Sequence, residues 1–327
     1  MRFEDVEAAR QKYYAKKIEI EKKRVKITLI ICAIVFPIEI VLATLFLPKP
    51  DTSFESLAMT IIPAFILGAL QLAIFSFISV AATAKDNSIK TELFAAYKRA
   101  YKGYFVQQQL AKFFTNLQYS HERGLNKNLL DETRMIHTGD IFKSNDLIIA
   151  KYKNTNFLQA DVEVTDIVKE KDKDGRETTT YVTVFKGRYL IFEFPKKFDF
   201  KMIITPESSY YNYVDTKTGR ELSKVETEST SFNKMFNTYA GDGFEAFYIL
   251  SPTVIENLEK LGQKYGNALS LYFSDNKLYV GLNDNSDAFE PPDASTPINE
   301  QAEINKVIDD MRIIVNLVDG LKLDKAH

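Results

Sequence analysis

Two apolar runs near the N-terminus decide how this chain is organised: ITLIICAIVFPIEIVLATLFL at Ile27–Leu47 and LAMTIIPAFILGALQLAIFSFISVAATA at Leu57–Ala84. The first run holds one formal charge, Glu39, and the second holds none. A helix needs about 20 apolar residues to cross a hydrocarbon core about 30 Å thick. Both runs reach that length, and the short connector between them has room only for a tight turn. We therefore predict a two-helix transmembrane hairpin.

The hairpin divides the chain into four predicted parts. They are a charged N-terminal helix, the hairpin, a soluble domain, and a Pro-rich loop with an amphipathic helix: residues 1–26, 27–84, 85–290 and 291–327. A cleaved signal peptide is one alternative, but its apolar region spans only about 7–15 residues close to the start of the chain. Burial of both runs inside a soluble protein is the other, and the uncharged second run argues against it.

Lysine and arginine residues beside the two runs predict the orientation of the hairpin, because positive residues are enriched on the cytoplasmic side of membrane spans. The connector holds one lysine, Lys49, with Asp51 and Glu55. Both outer flanks are basic, with Lys16, Lys17, Lys22, Lys23, Arg24 and Lys26 before the first run and Lys85, Lys90, Lys98, Arg99 and Lys102 after the second. We expect a multi-pass protein of the cytoplasmic (inner) membrane, with both the N-terminus and the C-terminal domain in the cytoplasm.

The N-terminal part, residues 1–26, is predicted to be helical. Val6, Tyr13 and Ile20 recur every seven residues, which is the spacing of a stripe that contacts a partner helix. Three positions are too few for a coiled-coil signal. We therefore favour a solvated, basic helix that extends the first span.

Polar and small residues inside the apolar runs are the candidate membrane contacts. An ionised carboxylate in hydrocarbon costs several kcal/mol, so we predict that Glu39 makes a polar contact there. Gln71 is the one amide side chain of the second run, and Ala64 and Gly68 form a small-xxx-small face for helix packing. We favour a contact between the two helices over an ion path, because two helices alone cannot enclose a pore.

Composition excludes several classes of function. A formal net charge of −2 gives no electrostatic signature of a nucleic-acid-binding protein. The single cysteine, Cys32, lies in the first apolar run, so the soluble part has no disulfide or thiolate chemistry. The sequence also lacks the phosphate-binding glycine loops and the G-x-S-x-G nucleophile elbow. We predict no cofactor, and the sequence identifies no catalytic residue.

Three histidines and two oxygen-rich segments are the places to look for a metal site. His121, His137 and His327 lack the i,i+4 spacing of paired ligands on a helix. Asp172–Gly175 begins like a calcium loop but lacks the later ligands, and Asn283–Asp287 has no glycine at the bend. We therefore predict no metal site.

Strand and helix patterns in the soluble domain predict its fold class. Ala160, Val162 and Val164 alternate with polar neighbours, and Asp174-Gly175 is a strong hairpin signal after them. A second hairpin is predicted around Asp275-Asn276. Because hairpins outnumber crossover connections, we predict an α+β domain with an antiparallel sheet and packed helices.

Two later helices have clear end signals. Ser251 and Pro252 suit the N-cap and the first turn of a helix, and Gly266 suits its C-terminal end. The last helix is predicted to begin at about Asn299. Its expected apolar face comprises Ile304, Ile308, Met311, Val315, Val318 and Leu321.

A series of short segments follows the predicted strands in a fixed order. They are Leu117–Tyr119, Asp140–Phe142, Asn145–Ile148, Phe185–Tyr189, Phe194–Phe198, Ser231–Phe236, Ala246–Pro252 and Lys277–Val280. In order and spacing this series resembles the bacterial membrane family catalogued as domain of unknown function 3137 (DUF3137), over roughly residues 85–290. Relatives commonly have an arginine within the segment that reads Glu245–Tyr248 here, and this chain has none.

The resemblance implies a location and an architecture, since an upstream membrane hairpin is usual in that family. It brings no activity and no catalytic residues. It also makes a LemA-type membrane protein a candidate partner, besides the lipid bilayer and self-association.

Three functions follow as hypotheses. The leading one is a non-enzymatic binding, scaffold or sensor module held at the membrane. The second is a membrane-tethered enzyme of an unrecognised type, with carboxylate pairs such as Glu193 and Asp199, or Asp242 and Glu245, as acid–base groups. The third is a subunit of an oligomeric channel or transporter that uses Glu39.

Overall fold

The structure is a computed structural model that describes residues 1–46, 71, 73–75, 77–133, 135–171, 176–206, 222–241 and 243–324. The chain divides into two compact units. The first comprises Met1–Tyr101 and Pro292–Ile298, and the second comprises Lys102–Pro291 and Asn299–His327. The four-part division made from the sequence stays a prediction.

Two antiparallel helices, α1 (Phe3–Phe46) and α2 (Ala84–Tyr101), form most of the first unit. Arg24 donates a hydrogen bond to Thr83, just before α2, at 3.1 Å. Tyr13, which comes earlier in α1, lies instead against the second half of α2.

The sevenfold stripe of α1 is the surface that packs on α2. Val6 and Ile20 are buried, and the Tyr13 ring centroid lies 5.0 Å from that of Phe94 and 6.3 Å from that of Tyr97. The prediction of a solvated N-terminal helix was therefore wrong. Tyr13 contacts two aromatic rings of α2, which adds ring contacts to the apolar burial of the stripe.

Asp86 of α2 forms ion pairs with two lysines of α1, Lys16 and Lys23, beside this stripe. We call these three residues the ionic clamp. Lys16 Nζ lies 2.8 Å from Asp86 Oδ1, and Lys23 Nζ lies 2.7 Å from Asp86 Oδ2. These hydrogen bonds, first that from Lys16 and then that from Lys23, lower the pKa of Asp86 to about 2.

We expect the clamp to open in acid. Because the pKa of Asp86 is lower in the folded chain than its ordinary value of 3.8, the carboxylate stabilises the helix pair fully above about pH 4. That contribution is lost as the pH falls toward 2. Spin labels at positions 12 and 95 should give a narrow distance distribution at pH 6 that broadens below pH 4. Asp86→Asn should broaden it already at pH 6, whereas Glu19→Gln, which removes only an exposed partner of Lys16, should leave it narrow. A narrow distribution for Asp86→Asn would contradict the clamp.

The Pro-rich loop Pro292–Ile298 belongs to the same unit and is fastened by hydrogen bonds. Arg10 donates to the Ala294 carbonyl oxygen, and the Tyr97 hydroxyl donates to the Pro292 carbonyl oxygen at 3.2 Å. The amide of Ile298 donates to Glu7 at 3.5 Å. The loop is thus tied to both helices of the pair.

Seven described strands form one antiparallel sheet in the second unit. They are β1 (Thr115–Ser120), β2 (Ile141–Tyr152), β3 (Thr155–Lys171), β4 (Glu177–Pro206), β5 (Ser223–Val225), β6 (Phe236–Ala240) and β7 (Leu269–Leu282). The order across the sheet is β1-β2-β3-β4-β6-β5, and β7 also pairs with β4.

The first predicted hairpin is confirmed and the second is wrong. Strands β3 and β4 pair antiparallel as far as Lys171 opposite Glu177, although the turn residues 172–175 lie outside the described residues. Strand β7 runs through Asp275-Asn276 without turning back. Asp275 has φ of 55° and lies opposite Phe198, where the pairing of β4 with β7 shifts register. The local turn signal therefore marks an irregularity in the pairing of two long strands, with the extra residues in β4.

Short helices and one long helix complete the second unit. They are α3 (Gln107–Phe113), α4 (Asn128–Asp131), α5 (Thr230–Met235), α6 (Gly243–Ile249), α7 (Pro252–Tyr265) and α8 (Glu300–Gly320), with a π-helical turn at Lys102–Val106 and a 3-10 turn at Gly266–Ala268. The predicted limits of α7 and the start of α8 are confirmed. The buried positions of α8 are Val307, Met311, Ile313, Ile314, Leu317 and Val318, so its apolar face is broader than predicted.

Both faces of the central strands are buried. On one face Ala160, Val162 and Val164 belong to an apolar cluster with Tyr189. Arg188, on the opposite face, donates to the carbonyl oxygen of Asp310 in α8 at 2.6 Å. The predicted α+β class, with an antiparallel sheet and packed helices, is confirmed.

Much of the predicted membrane hairpin lies beyond the described part of the chain. Among the described residues, no helix combines the length and the apolar character that membrane crossing requires. Ala64 and Gly68 lie outside the described residues, as does the side chain of Glu39. Gln71 is described and is half-buried in a helical segment.

Candidate functional site

A buried ion pair lies where the π-helical turn meets strand β2. Lys102 is 2% exposed and Asp146 is 0% exposed. Lys102 Nζ donates to Asp146 Oδ2 at 2.6 Å and to Glu290 Oε1 at 2.8 Å. Asp146 has φ of 55°, and the β2–β3 register shifts between Asn145 and Ile148. This bulge breaks the regular alternation of β2 at the aspartate.

Two further donors bond to the Asp146 carboxylate. The Tyr119 hydroxyl donates to Oδ1 at 2.6 Å, and Asn145 Nδ2 donates to Oδ2 at 2.7 Å. Burial opposes the charge on Lys102, but the carboxylate of Asp146 beside it raises the pKa of the ammonium group above its ordinary value. Burial also raises the pKa of Asp146 above its ordinary value, against the lowering effect of the Lys102 ammonium group.

Two further carboxylates lie next to this pair. Asp161 of β3 is 4% exposed, and Asp287, in the loop after β7, is exposed. One carboxylate oxygen from each of Asp146, Asp161 and Asp287 lies within 4.8 Å of the other two. We call these three residues the aspartate triad. No ion is present in the structure, and the three oxygens are close enough to serve as ligands of one cation.

Asp161 is incompletely satisfied. Its Oδ2 accepts a hydrogen bond from the amide of Ala288 at 2.8 Å, whereas its Oδ1 meets no donor among the described groups. Burial, the neighbouring Asp287 and the charge of Asp146 raise the pKa of Asp161 well above its ordinary value, and Arg188 opposes them. A buried carboxylate in this setting requires a positive charge or a proton beside it.

The nearest arginine is engaged elsewhere. Arg188 lies directly opposite Asp161 in the β3–β4 register, yet its terminal nitrogens contact the Asp310 carbonyl oxygen at 2.6 Å and Asp284 at 3.5 Å. Gln159 lies two residues before Asp161 on the same face of β3. Both polar atoms of its fully buried amide are without a partner among the described groups.

A separate groove lies between helices α6 and α7. Its described lining residues are Glu228, Ser229, Phe247, Leu250, Ser251, Pro252, Ile255, Glu256 and Glu259, and its volume is about 710 Å³. We call it the α6–α7 groove. On α6, Phe244 is 87% exposed, Phe247 is 48% exposed and Tyr248 is 62% exposed.

The acidic side of this groove is fixed by hydrogen bonds. Glu259 Oε1 accepts from the Ser229 hydroxyl at 2.5 Å and from the Ser231 hydroxyl at 2.6 Å. These bonds, that from Ser229 first, lower the pKa of Glu259, so the carboxylate stays ionised. The groove therefore combines an apolar floor with a negative rim.

Comparison with known families gives one match, to the C-terminal part of the chain. Residues 183–323 match the family described as "Protein of unknown function (DUF3137)". Residues 183–323 form a DUF3137 domain. The family resemblance seen in the sequence is thereby confirmed, although the matched residues begin later and end later than the predicted range of 85–290. The matched range contains the α6–α7 groove and Asp287, whereas Asp146 and Asp161 precede it.

Other comparisons add little. No curated protein matches the chain. Among solved structures, the crystal structure of the mycobacterial trehalose monomycolate transport factor A, TtfA, matches with 8% sequence identity and a TM-score of 0.38, over 70% of this chain and 97% of that chain. A similarity at this level supports no inference about the DUF3137 chain.

Of the residues predicted as sites from the sequence, none whose side chain the structure describes belongs to this cluster. Glu193, proposed for an acid–base pair, lies opposite Lys277 with 3.8 Å between charged atoms, and Asp242 lies outside the described residues. Asp287 was noted only as part of an oxygen-rich segment. A signal for Asp161 existed in the alternation of β3, since Gln159 and Asp161 share a face with the buried Phe157.

Proposed function

We propose that the DUF3137 chain is a membrane-anchored, non-enzymatic binding module whose cytoplasmic domain takes up a basic amphipathic helix of a protein partner in the α6–α7 groove. The membrane hairpin of residues 27–84 is the anchor in this proposal. The family resemblance makes a LemA-type membrane protein one candidate for the partner.

The observation that carries the proposal is the exposed aromatic surface of α6. Phe244, Phe247 and Tyr248 expose large apolar groups within two helical turns, next to a groove lined by Leu250 and Ile255. Aromatic residues are enriched at the energetic centres of protein interfaces. An apolar groove is also the usual receptor for the apolar face of a helix.

Charge selects the kind of helix. Three glutamates, Glu228, Glu256 and Glu259, line the groove, and its described lining contains no lysine or arginine. A segment with lysine and arginine beside its apolar face would complement these glutamates. The attraction would speed association at low ionic strength, and added salt would slow the association and weaken the complex.

The buried polar cluster supports a binding role over catalysis. Lys102 and Asp146 bond to one another and to Tyr119, Asn145 and Glu290, and the first two are almost entirely buried. A general acid or base must come within hydrogen-bond reach of its substrate. These two groups are instead committed to each other.

A photo-crosslinking amino acid at position 247 tests the groove in intact cells. We expect it to capture a partner segment rich in lysine, arginine and apolar residues, with a yield that falls as ionic strength rises in isolated membranes. Position 181 is the matched control, because Tyr181 is 65% exposed and lies in the β3–β4 hairpin, outside the α6–α7 groove. Equal yields at the two positions would contradict the proposal, as would capture of a second copy of this chain.

A further inference from the structure

We propose that the aspartate triad binds a hard, oxygen-preferring divalent cation. This departs from the absence of a metal site that we predicted from the sequence. It is independent of the α6–α7 groove, which shares no residue with the triad.

The first argument is geometric. Calcium binds carboxylate oxygens at about 2.3–2.6 Å, which places opposite ligands roughly 5 Å apart and adjacent ones roughly 3.5 Å apart. The oxygens of Asp146, Asp161 and Asp287 already lie within 4.8 Å of one another. A cation of that size therefore needs no rearrangement of the backbone, and the smaller Mg²⁺ or Mn²⁺ needs only a modest contraction.

The second argument is the unpartnered oxygen. Asp161 is 4% exposed, and its Oδ1 has no hydrogen-bond donor among the described groups, whereas Oδ2 is held by the Ala288 amide. A buried carboxylate oxygen without a partner is costly, and nearly all such groups in folded proteins are satisfied. This observation is independent of the distances between the three carboxylates, and it identifies Asp161 Oδ1 as the oxygen that a cation would contact.

The third argument is the local balance of charge. Lys102 is shared between Asp146 and Glu290, and Arg188 contacts Asp284. Across the described residues, no lysine or arginine makes an ion pair with Asp161 or Asp287. Two carboxylates therefore lack a direct counter-charge, which is the charge that one divalent cation supplies.

Access favours the same assignment. Asp287 is exposed, so an ion can arrive from solvent and lose its water stepwise as it reaches the buried Asp161. Asp146 is fixed by Lys102 and Tyr119, which gives the innermost ligand a defined position. Outer groups of this kind orient the ligands of metal sites.

Terbium luminescence tests the proposal on the full-length chain in mild detergent. Tb³⁺ is an oxygen-seeking analogue, and Tyr119 lies 2.6 Å from Asp146 and so can sensitise its emission. We expect saturable emission that Ca²⁺ or Mn²⁺ displaces. Asp161→Asn and Asp287→Asn should each weaken the affinity roughly tenfold or more, because each removes one charged ligand. Asp309→Asn, an exposed aspartate of α8 paired only with Arg312 in a surface contact, is the matched control and should leave the affinity unchanged.

If Asp161→Asn fails to fold, Asp287→Asn still decides the test, because Asp287 is exposed. Thermal unfolding provides the second readout, since a ligand of the folded state raises the midpoint. Wild type should melt higher with Ca²⁺ than with EDTA, and Asp287→Asn should not. Unchanged emission in Asp287→Asn would overturn the cation site. A second result would also overturn it: Ca²⁺ leaves the melting midpoint of wild type unchanged, and Asp161→Asn is more stable than wild type. That result would mean that Asp161 and Asp287 share a proton.

Discussion

Replacing Lys102 with methionine should lower the free energy of unfolding of the second unit by about 3–5 kcal/mol. Lys102 and Asp146 are 2% and 0% exposed in their side chains, with 2.6 Å between Nζ and Oδ2. The methionine side chain fills similar space but leaves the carboxylate buried without its cation. Breaking a buried pair in this way costs far more than the pair itself contributes. Urea unfolding of the full-length chain in detergent, followed by the circular dichroism of the sheet, measures the change.

Two companion variants make this prediction specific. Lys260→Met removes an exposed pair with Glu256, whose charged atoms lie 2.7 Å apart, and should change stability by no more than about 0.5 kcal/mol. The double variant Lys102→Met with Asp146→Asn should be more stable than Lys102→Met alone, because no uncompensated charge remains. A cost below about 1 kcal/mol for Lys102→Met would show that the pair is not buried as the structure places it.

Replacing Gly187 with alanine should destabilise the sheet by about 3 kcal/mol. The glycine has φ of 153°, and an added Cβ atom would lie 2.0 Å from the carbonyl oxygen of Leu282. That oxygen belongs to the backbone of β7, directly beside the pairing of Arg188 with Leu282. The strands must therefore separate locally, because a backbone atom cannot rotate away as a flexible side chain can.

Gly241→Ala is the matched control for Gly187→Ala. An added Cβ atom at Gly241 would meet nothing within 4 Å, so the substitution should be neutral or slightly stabilising through the unfolded state. The same urea titration compares the two variants. Equal stability of Gly187→Ala and Gly241→Ala would mean that β4 and β7 do not approach as closely as described.

Local signals predicted most of the fold of the second unit. Asp174-Gly175 predicted the β3–β4 hairpin, and Ser251, Pro252 and Gly266 predicted the limits of α7. Each of these depends on backbone preferences within a few residues, which a sequence displays directly. Asp275-Asn276 misled for the same reason, because β4 pairs along the whole of β7 and tertiary pairing overrides a local turn preference.

The candidate site could not be predicted in this way. Lys102 is separated from Asp146 by 44 positions and from Glu290 by 188 positions, so their pairing is a property of the folded sheet. Asp161 appears in sequence as one polar residue in an alternating strand, and only the burial of both sheet faces makes its charge exceptional. The same reason applies to Tyr13, whose role depends on rings from Phe94 and Tyr97 that lie far along the chain.

Protease treatment of sealed membranes tests the central claim, a binding domain held on the cytoplasmic side by a membrane anchor. The chain should remain with the membranes after an alkaline wash. Protease added to intact spheroplasts should leave residues 85–327 uncut, and the same protease added to inverted vesicles should degrade them. Recovery of the chain in the soluble fraction, or cleavage of that domain in intact spheroplasts, would contradict the account.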